Sequence, residues 1–258
     1  MNKKIFAFWA GKYMSWLRYM TLHSARKYNP DAEIILLNAP EPCNRNKVWP
    51  SHNIQDSLYY EGPNYFEDIP SLGVEIREWV PPFKSEPAQQ CDISQWSSMY
   101  EEGGLFIDMD IVFTGNLDYL FERQEEVVLC YHDFFSIGVT GGLKGCAFHK
   151  RLLDIAKKNF DPHNYSTCGT ASIYKLLGDE EPLNKMTCSY YNIPQDHFYK
   201  YDWQNLNKIY ENSESLEGVR GVHWYGGAPA SKEWNNKLFP RTLKRYSNTL
   251  VAALREVL

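Results

Sequence analysis

No run of apolar residues in this sequence approaches the ~20 needed to cross a bilayer as a helix, so no transmembrane helix is expected. Basic excess is also missing: 27 Lys and Arg stand against 32 Asp and Glu, a formal net charge of −5, with no block of like charge. Gripping nucleic acid through its phosphates needs a basic face, so no nucleic-acid partner is expected. Closely spaced cysteines are lacking. The nearest pair, Cys130 and Cys146, is 16 positions apart, which excludes a CxxC zinc or redox pair and fits reduced thiols in a cytoplasmic protein. Neither G-x-x-x-x-G-K-S/T nor G-x-G-x-x-G occurs, so Gly141-Gly142 and Gly145 are not read as a phosphate loop. Lys3 and Lys4 precede an apolar stretch, Ile5 to Ala10, as in a leader. Gly11 and Lys12 stop it and no small-residue cleavage site follows, so a first buried strand is expected there.

What is present is an ordinary globular composition, 43% hydrophobic and 23% charged, with a high aromatic share of 15%. Rings fill cores, and they also stack on bases and on the apolar faces of sugars. Residues 5–10 read as a strand, Met14 to Tyr28 as a helix ended by Asn29-Pro30, and Glu33 to Leu37 as a second strand, the order of a parallel βαβ unit. Five prolines between 40 and 70 mark 39–70 as an irregular insertion with one short helix near 53–60. Val74 to Val80 reads as a strand. A helix that Asp92 begins ends at Gly103-Gly104 and feeds a continuous strand from Leu105 to Phe113. Further strands are expected at 127–131, 137–140, 186–193 and 219–225, and helices at 148–159 and 170–177. An amphipathic helix over 242–258 closes the chain, with apolar residues at 243, 246, 250, 254 and 257. With no linker and no repeat, residues 1–258 read as a single α/β domain with a mixed sheet.

Chemistry concentrates at Asp108-Met109-Asp110. In a continuous strand these two carboxylates share one face, about 7 Å apart, while Leu105, Ile107, Met109 and Ile111 share the other. Paired carboxylates within an apolar run call for a compensating cation, and oxygen ligands of this kind suit Mg²⁺ or Mn²⁺ held together with substrate phosphates. Two solvated aspartates at a strand end are the alternative for an isolated D-x-D. His223 beside Trp224 reads as a satisfied buried side chain or as a metal ligand. Trp9 reads as core, or as a ring at the C-terminal end of a strand, where ligands of α/β sheets bind. Asp92 reads as a helix N-cap or as a binding carboxylate.

The whole segment CDISQWSSMYEEGGLFIDMDIVF resembles the D-x-x-R, aromatic-rich helix, G-G, aromatic, D-x-D signature of glycosyltransferase family 32. That family contains yeast initiating mannosyltransferases and clostridial toxin glucosyltransferase domains. Trp9-Ala10-Gly11 resembles its W-x-G, Cys168-Gly169-Thr170 its G-P/T turn before a helix, and Ile193-Pro194 with Phe198-Tyr199 its I/L-P…F-Y-P stretch. Val222-His223-Trp224 with Ser231 and Trp234 resembles its closing motif. The family's Arg is Gln95 here, a neutral amide in place of a bidentate cation, and its closing S-W is stretched to Ser231-Lys232-Glu233-Trp234.

The resemblance implies a single GT-A, Rossmann-like domain with a mixed, mostly parallel sheet and flanking helices. It implies a metal-dependent, retaining glycosyltransferase that moves a sugar from a UDP- or GDP-linked donor to a hydroxyl of a glycan, lipid or protein. Asp108 and Asp110 are then the catalytic and metal residues, joined by His223 around Mn²⁺ or Mg²⁺. Trp9, Gly11, Asp92, Gln95, Gly104, Ser231 and Trp234 fall to the donor. Asp133 is the only acidic candidate for a nucleophile near the metal strand, and it also reads as a solvated turn residue. A glycoside hydrolase needs two carboxylates as well, but on opposite sides of the scissile bond. A sugar- or nucleotide-sugar-binding module without activity is the non-enzymatic alternative.

Overall fold

The computed structural model describes residues 1–39 and 59–258. Most of the expected 39–70 insertion, including the short helix expected near 53–60, lies outside the described residues. The chain opens with strand β1 (Lys4–Ala10), helix α1 (Trp16–Tyr28) and strand β2 (Glu33–Ala39). Ser15 caps α1 by accepting the Arg18 N–H, and Asn29 ends it by returning its side-chain amide to the Ala25 carbonyl. Strand β3 (Glu75–Glu78), helix α2 (Pro87–Glu101) and strand β4 (Gly104–Ile107) follow, then β5 (Ile111–Phe113) and the short helix α3 (Asp118–Phe121). Strands β6 (Val127–Tyr131) and β7 (Phe135–Gly142) form a hairpin ahead of α4 (Ala147–Lys158) and α5 (Thr170–Leu177). The rest comprises β8 (Tyr190–Asn192), α6 (Asn207–Tyr210), β9 (Gly221–His223), α7 (Pro229–Lys237) and α8 (Thr249–Val257).

Seven strands form one sheet in the order β3-β2-β1-β4-β7-β6-β8. β3, β2, β1 and β4 run parallel, β7 is antiparallel to both β4 and β6, and β8 is parallel to β6. The expected mixed, mostly parallel sheet is therefore present. β1 is buried on both faces: Ile5, Ala7 and Trp9 join the cluster containing Leu22 and Ala25 of α1, while Phe6 and Phe8 pack with Met99 of α2. That two-sided burial explains why β1 reads as a continuous apolar run. Each large side chain so buried contributes about 1.5–3 kcal/mol. Among the described residues no helix is long and apolar enough to cross a membrane.

Three expectations are corrected. The strand expected from Leu105 to Phe113 is broken: β4 stops at Ile107, the chain turns through Asp108–Asp110, and β5 pairs with β9 in a separate two-stranded sheet. The Asp108 N–H still bonds Gly138 O of β7, but the Asp110 carbonyl accepts the Trp224 N–H instead, so the backbone changes partner at the D-x-D. Helix α2 starts at Pro87, where Gln89 accepts the Glu86 N–H, so Asp92 lies in its second turn and caps nothing. The C-terminal helix begins at Thr249 after a short 3₁₀ turn at Leu243–Arg245, because Asn248 breaks the run and caps α8 at the Val251 N–H.

Candidate active site

The C-terminal ends of parallel β1 and β4 open into a cavity of about 590 Å³. Ligands of open α/β sheets bind at such strand ends. The partner change after β4 turns Asp108 and Asp110 to this cavity, and β9, paired with β5, delivers His223 opposite Ile111. Ligand atoms of Asp108, Asp110 and His223 lie within 4.8 Å of one another, closer than strand spacing alone predicts for the two carboxylates.

Asp110 is held from three sides. Its Oδ1 is 2.9 Å from His223 Nε2, its Oδ2 accepts the Gly226 N–H at 2.7 Å, and Arg18 Nη1 stands 3.6 Å from Oδ2. Burial pushes its pKa up, but the His223 charge and hydrogen bond, then Arg18, hold the carboxyl far below the usual carboxylate range. Burial pulls the His223 pKa down, but the Asp110 charge and hydrogen bond raise it above its ordinary value. At Asp108 burial, then the neighbouring Asp110 charge, outweighs the charges of His223 and Arg18 and pushes it up to about 6. Asp92 is raised well above its ordinary value by burial and then by Asp108. One carboxylate is thus fixed as an anion while its neighbours are protonated more readily, a separation typical of functional sites.

Several residues absent from the sequence-based set build this arrangement. Arg18 is 2% exposed, and its guanidinium lies 5.4 Å from the Trp9 ring centroid and 4.7 Å from that of Trp224. A Cβ on Gly226 would fall 2.3 Å from Arg18 Nη2, so a larger residue there would have to displace the guanidinium. Tyr225 takes the left-handed φ of +49° that aims Gly226 inward, and its ring stacks on His223 at 4.2 Å. A Cβ on Gly138 would lie 2.9 Å from Asp108 Oδ2 and 3.1 Å from His223 Cε1, so that glycine lets the triad close over β7. One signal for Arg18 was available: Arg18, Thr21, Leu22 and Ala25 form an i, i+3, i+4, i+7 stripe, all buried, that begins with a cation. Nothing local marks Gly138 or Gly226.

Of the sequence-predicted residues, Trp9, Asp92, Asp108, Asp110 and His223 line the cavity. The other five serve the walls. Gln95 is 1% exposed and donates to Ile137 O at 2.8 Å and Thr140 Oγ1 at 2.7 Å, bracing α2 on β7. Gly104 starts β4 at its far end, where a Cβ would fall 2.7 Å from Lys4 O. Gly11 makes the left-handed turn after β1, its carbonyl held by Asn38 Nδ2. Ser231 donates to Trp224 O, and Trp234 stacks on Tyr210 with ring centroids 5.7 Å apart. The direction of these side chains follows from long-range packing that spacing does not encode.

The sheet order, with the carboxylates of a D-x-D and an imidazole at its cavity end, is that of a GT-A fold. Residues 18–127 match the family described as "Glycosyltransferase sugar-binding region containing DXD motif", a segment that runs from Arg18 through the D-x-D. No curated protein sequence matches. Among solved structures, the apo form of the glycosyltransferase GlyE from Streptococcus pneumoniae TIGR4 is similar in fold, at 13% identity and a TM-score of 0.54 over 100% of this chain and 60% of that chain. A second GlyE structure from the same organism gives 14% identity and a TM-score of 0.52 over 100% of this chain and 61% of that chain. The sequence therefore spans about three fifths of the GlyE chains.

Proposed function

We propose that the protein transfers a sugar from a UDP- or GDP-linked donor to a hydroxyl acceptor, with Mn²⁺ or Mg²⁺ held by Asp108, Asp110 and His223. The observation that carries this reading is the convergence of two carboxylates and one imidazole within 4.8 Å in the cavity. That donor set suits these cations, and His223 Nδ1 is a buried nitrogen without a hydrogen-bond partner. When bound, the cation supplies Lewis-acid neutralisation of charge on the departing diphosphate.

The chain's own groups supply the rest. Arg18 adds a fixed positive charge beside Asp110, aimed from the buried side, and a preorganised cation in a low-dielectric site costs no reorganisation as charge develops. Asp92, raised toward its neutral form, offers a hydrogen-bonding carboxyl to sugar hydroxyls. Retention of anomeric configuration by a front-face route, with acceptor attack and diphosphate departure on one side and the leaving phosphate taking the acceptor proton, needs no protein nucleophile. The exposure of Asp133, outside the cavity lining, supports that route over a covalent intermediate. Clustering of Asp108 and Asp110 with one imidazole disfavours the hydrolase alternative, whose carboxylates flank a bond. In this reading residues 1–258 act as one catalytic domain, placed in the cytoplasm, where the free thiols stay reduced.

A panel of UDP- and GDP-sugars with Mn²⁺, scored for nucleotide release and then by NMR of the first-formed glycoside, tests the proposal. Turnover that needs metal, with the donor's anomeric configuration kept, is expected. Metal-independent cleavage of simple glycosides would replace transfer by hydrolysis, and an inverted product would remove the front-face route.

A further inference from the structure

Five large hydrophobic side chains are markedly exposed among the described residues, and two of them, Tyr165 and Trp203, line the same cavity. Trp203 belongs to the turn that follows Asp202, whose charge reaches Tyr225, the residue stacked on His223.

Trp203 is 55% exposed, yet its turn is firmly built. Asp202 Oδ1 accepts the Gln204 N–H at 2.8 Å and Asn205 Nδ2 at 2.9 Å. On the N-terminal side, Lys200 Nζ donates to Ser215 O and Glu217 O, and the Tyr201 hydroxyl donates to Ser215 O. On the other side Leu206, also in the cavity lining, leads into α6. A large ring held in water by a braced turn loses the burial that normally repays a tryptophan. Such a ring is preorganised to stack on an apolar face. Beside it, Asp202 Oδ2 takes no part in the bonds that Gln204 and Asn205 make to Oδ1, so an aromatic face and a carboxylate oxygen stand together.

We propose that Trp203 and Asp202 form an acceptor subsite for a sugar ring, so that the acceptor hydroxyl belongs to a glycan rather than to a lipid headgroup or a protein side chain. This rests on the glycosyl-transfer reading of the triad. A pyranose presents C–H bonds on one face and hydroxyls at its rim, which match the indole face and Asp202 Oδ2 respectively. The location agrees: Trp203 and Leu206 line the same cavity as Asp110, His223 and Tyr225. Stacking of this kind contributes ~1 kcal/mol or somewhat more, about a tenfold change in affinity.

The test has a binding arm and a kinetic arm. In the first, methyl hexosides and simple disaccharides are titrated into the full-length protein loaded with UDP or GDP and Mg²⁺, and the Trp203 indole N–H resonance, assigned with Trp203→Phe, is followed by NMR. Its shift by a glycoside is expected. In the second, Trp203→Ala raises the acceptor KM about tenfold relative to the donor KM, Trp203→Phe recovers part of the loss, and Asp202→Asn narrows the choice among acceptors that differ in one hydroxyl. A resonance that moves with nucleotide alone, or with no glycoside, overturns the subsite by assigning the ring to the donor base or to neither substrate. Equal transfer by wild type and Trp203→Ala to every sugar acceptor also overturns it. Absence of turnover with every donor, with the glycoside shift intact, would instead strike the glycosyl-transfer reading and leave a sugar-binding surface.

Discussion

Gly226 donates its backbone N–H to Asp110 at 2.7 Å from a position where a single added methyl would sit 2.3 Å from the Arg18 guanidinium. Donor, anion and cation are thereby in direct contact. Gly226→Ala is expected to push Arg18 or the Tyr225–Gly226 turn out of place, at a stability cost of about 1–3 kcal/mol. Activity should fall at least tenfold even where thermal unfolding shows a folded protein. Unaltered activity would mean that the Gly226 contact is dispensable.

Asp110 compensates the buried Arg18 guanidinium and accepts a hydrogen-bonding contact from His223. Removing one partner of a buried charge cluster typically costs about 3–5 kcal/mol, so Asp110→Asn should lower the unfolding midpoint in urea as well as abolish metal-dependent donor binding. Calorimetry with UDP- or GDP-sugar, run with Mn²⁺ and then with chelator, should show affinity lost on metal removal in wild type. The variant should show the chelated behaviour throughout.

Gln95 and Asp92 lie on the same helix but face different surroundings. Gln95→Ala should strand the Thr140 hydroxyl and the Ile137 carbonyl, lowering stability by about 1–3 kcal/mol with little change in the ranking of donor sugars. Asp92→Asn should do the reverse, shifting donor preference while the unfolding midpoint stays close to wild type. Parallel donor screens and urea titrations separate the two outcomes.

His149 packs flat on Trp96, with ring centroids 6.3 Å apart, and burial lowers its pKa to about 3 from an ordinary 6.5. The folded state therefore holds this imidazole neutral where the unfolded chain would protonate it. Its contribution to stability is complete above pH 6.5 and is lost as pH falls toward 3, at up to about 1.4 kcal/mol per pH unit. His149→Leu should flatten the stability profile between pH 6.5 and 5 relative to wild type, as read from urea midpoints. Parallel profiles would place the proton uptake elsewhere.

The parts of the fold that announce themselves in sequence are those governed by local rules. β1, α1 and β2 are legible because a two-sided buried strand, a capped helix and a second apolar run follow in order. The D-x-D, His223, Asp92 and Trp9 could be named because carboxylate, imidazole and ring chemistry is scarce and is carried by recognisable neighbours. Their mutual geometry was not legible. Asp108 and Asp110 approach closely because the backbone leaves one sheet for another between them, and the competing partner, Trp224, lies more than a hundred residues away. Gln95, Ser231 and Trp234 occupy motif positions yet point into walls, since side-chain direction there depends on contacts with Thr140, Trp224 and Tyr210.

The pairing of β5 with β9 has a consequence for biogenesis. Asp108 and Asp110 emerge from the ribosome long before His223 and Gly226, and domains generally fold as they are synthesised, N-terminal parts first. A nascent chain halted ahead of Gly221 carries Asp110 without its imidazole partner or its backbone donor. The triad is completed only once the β9 segment has been made and pairs with β5.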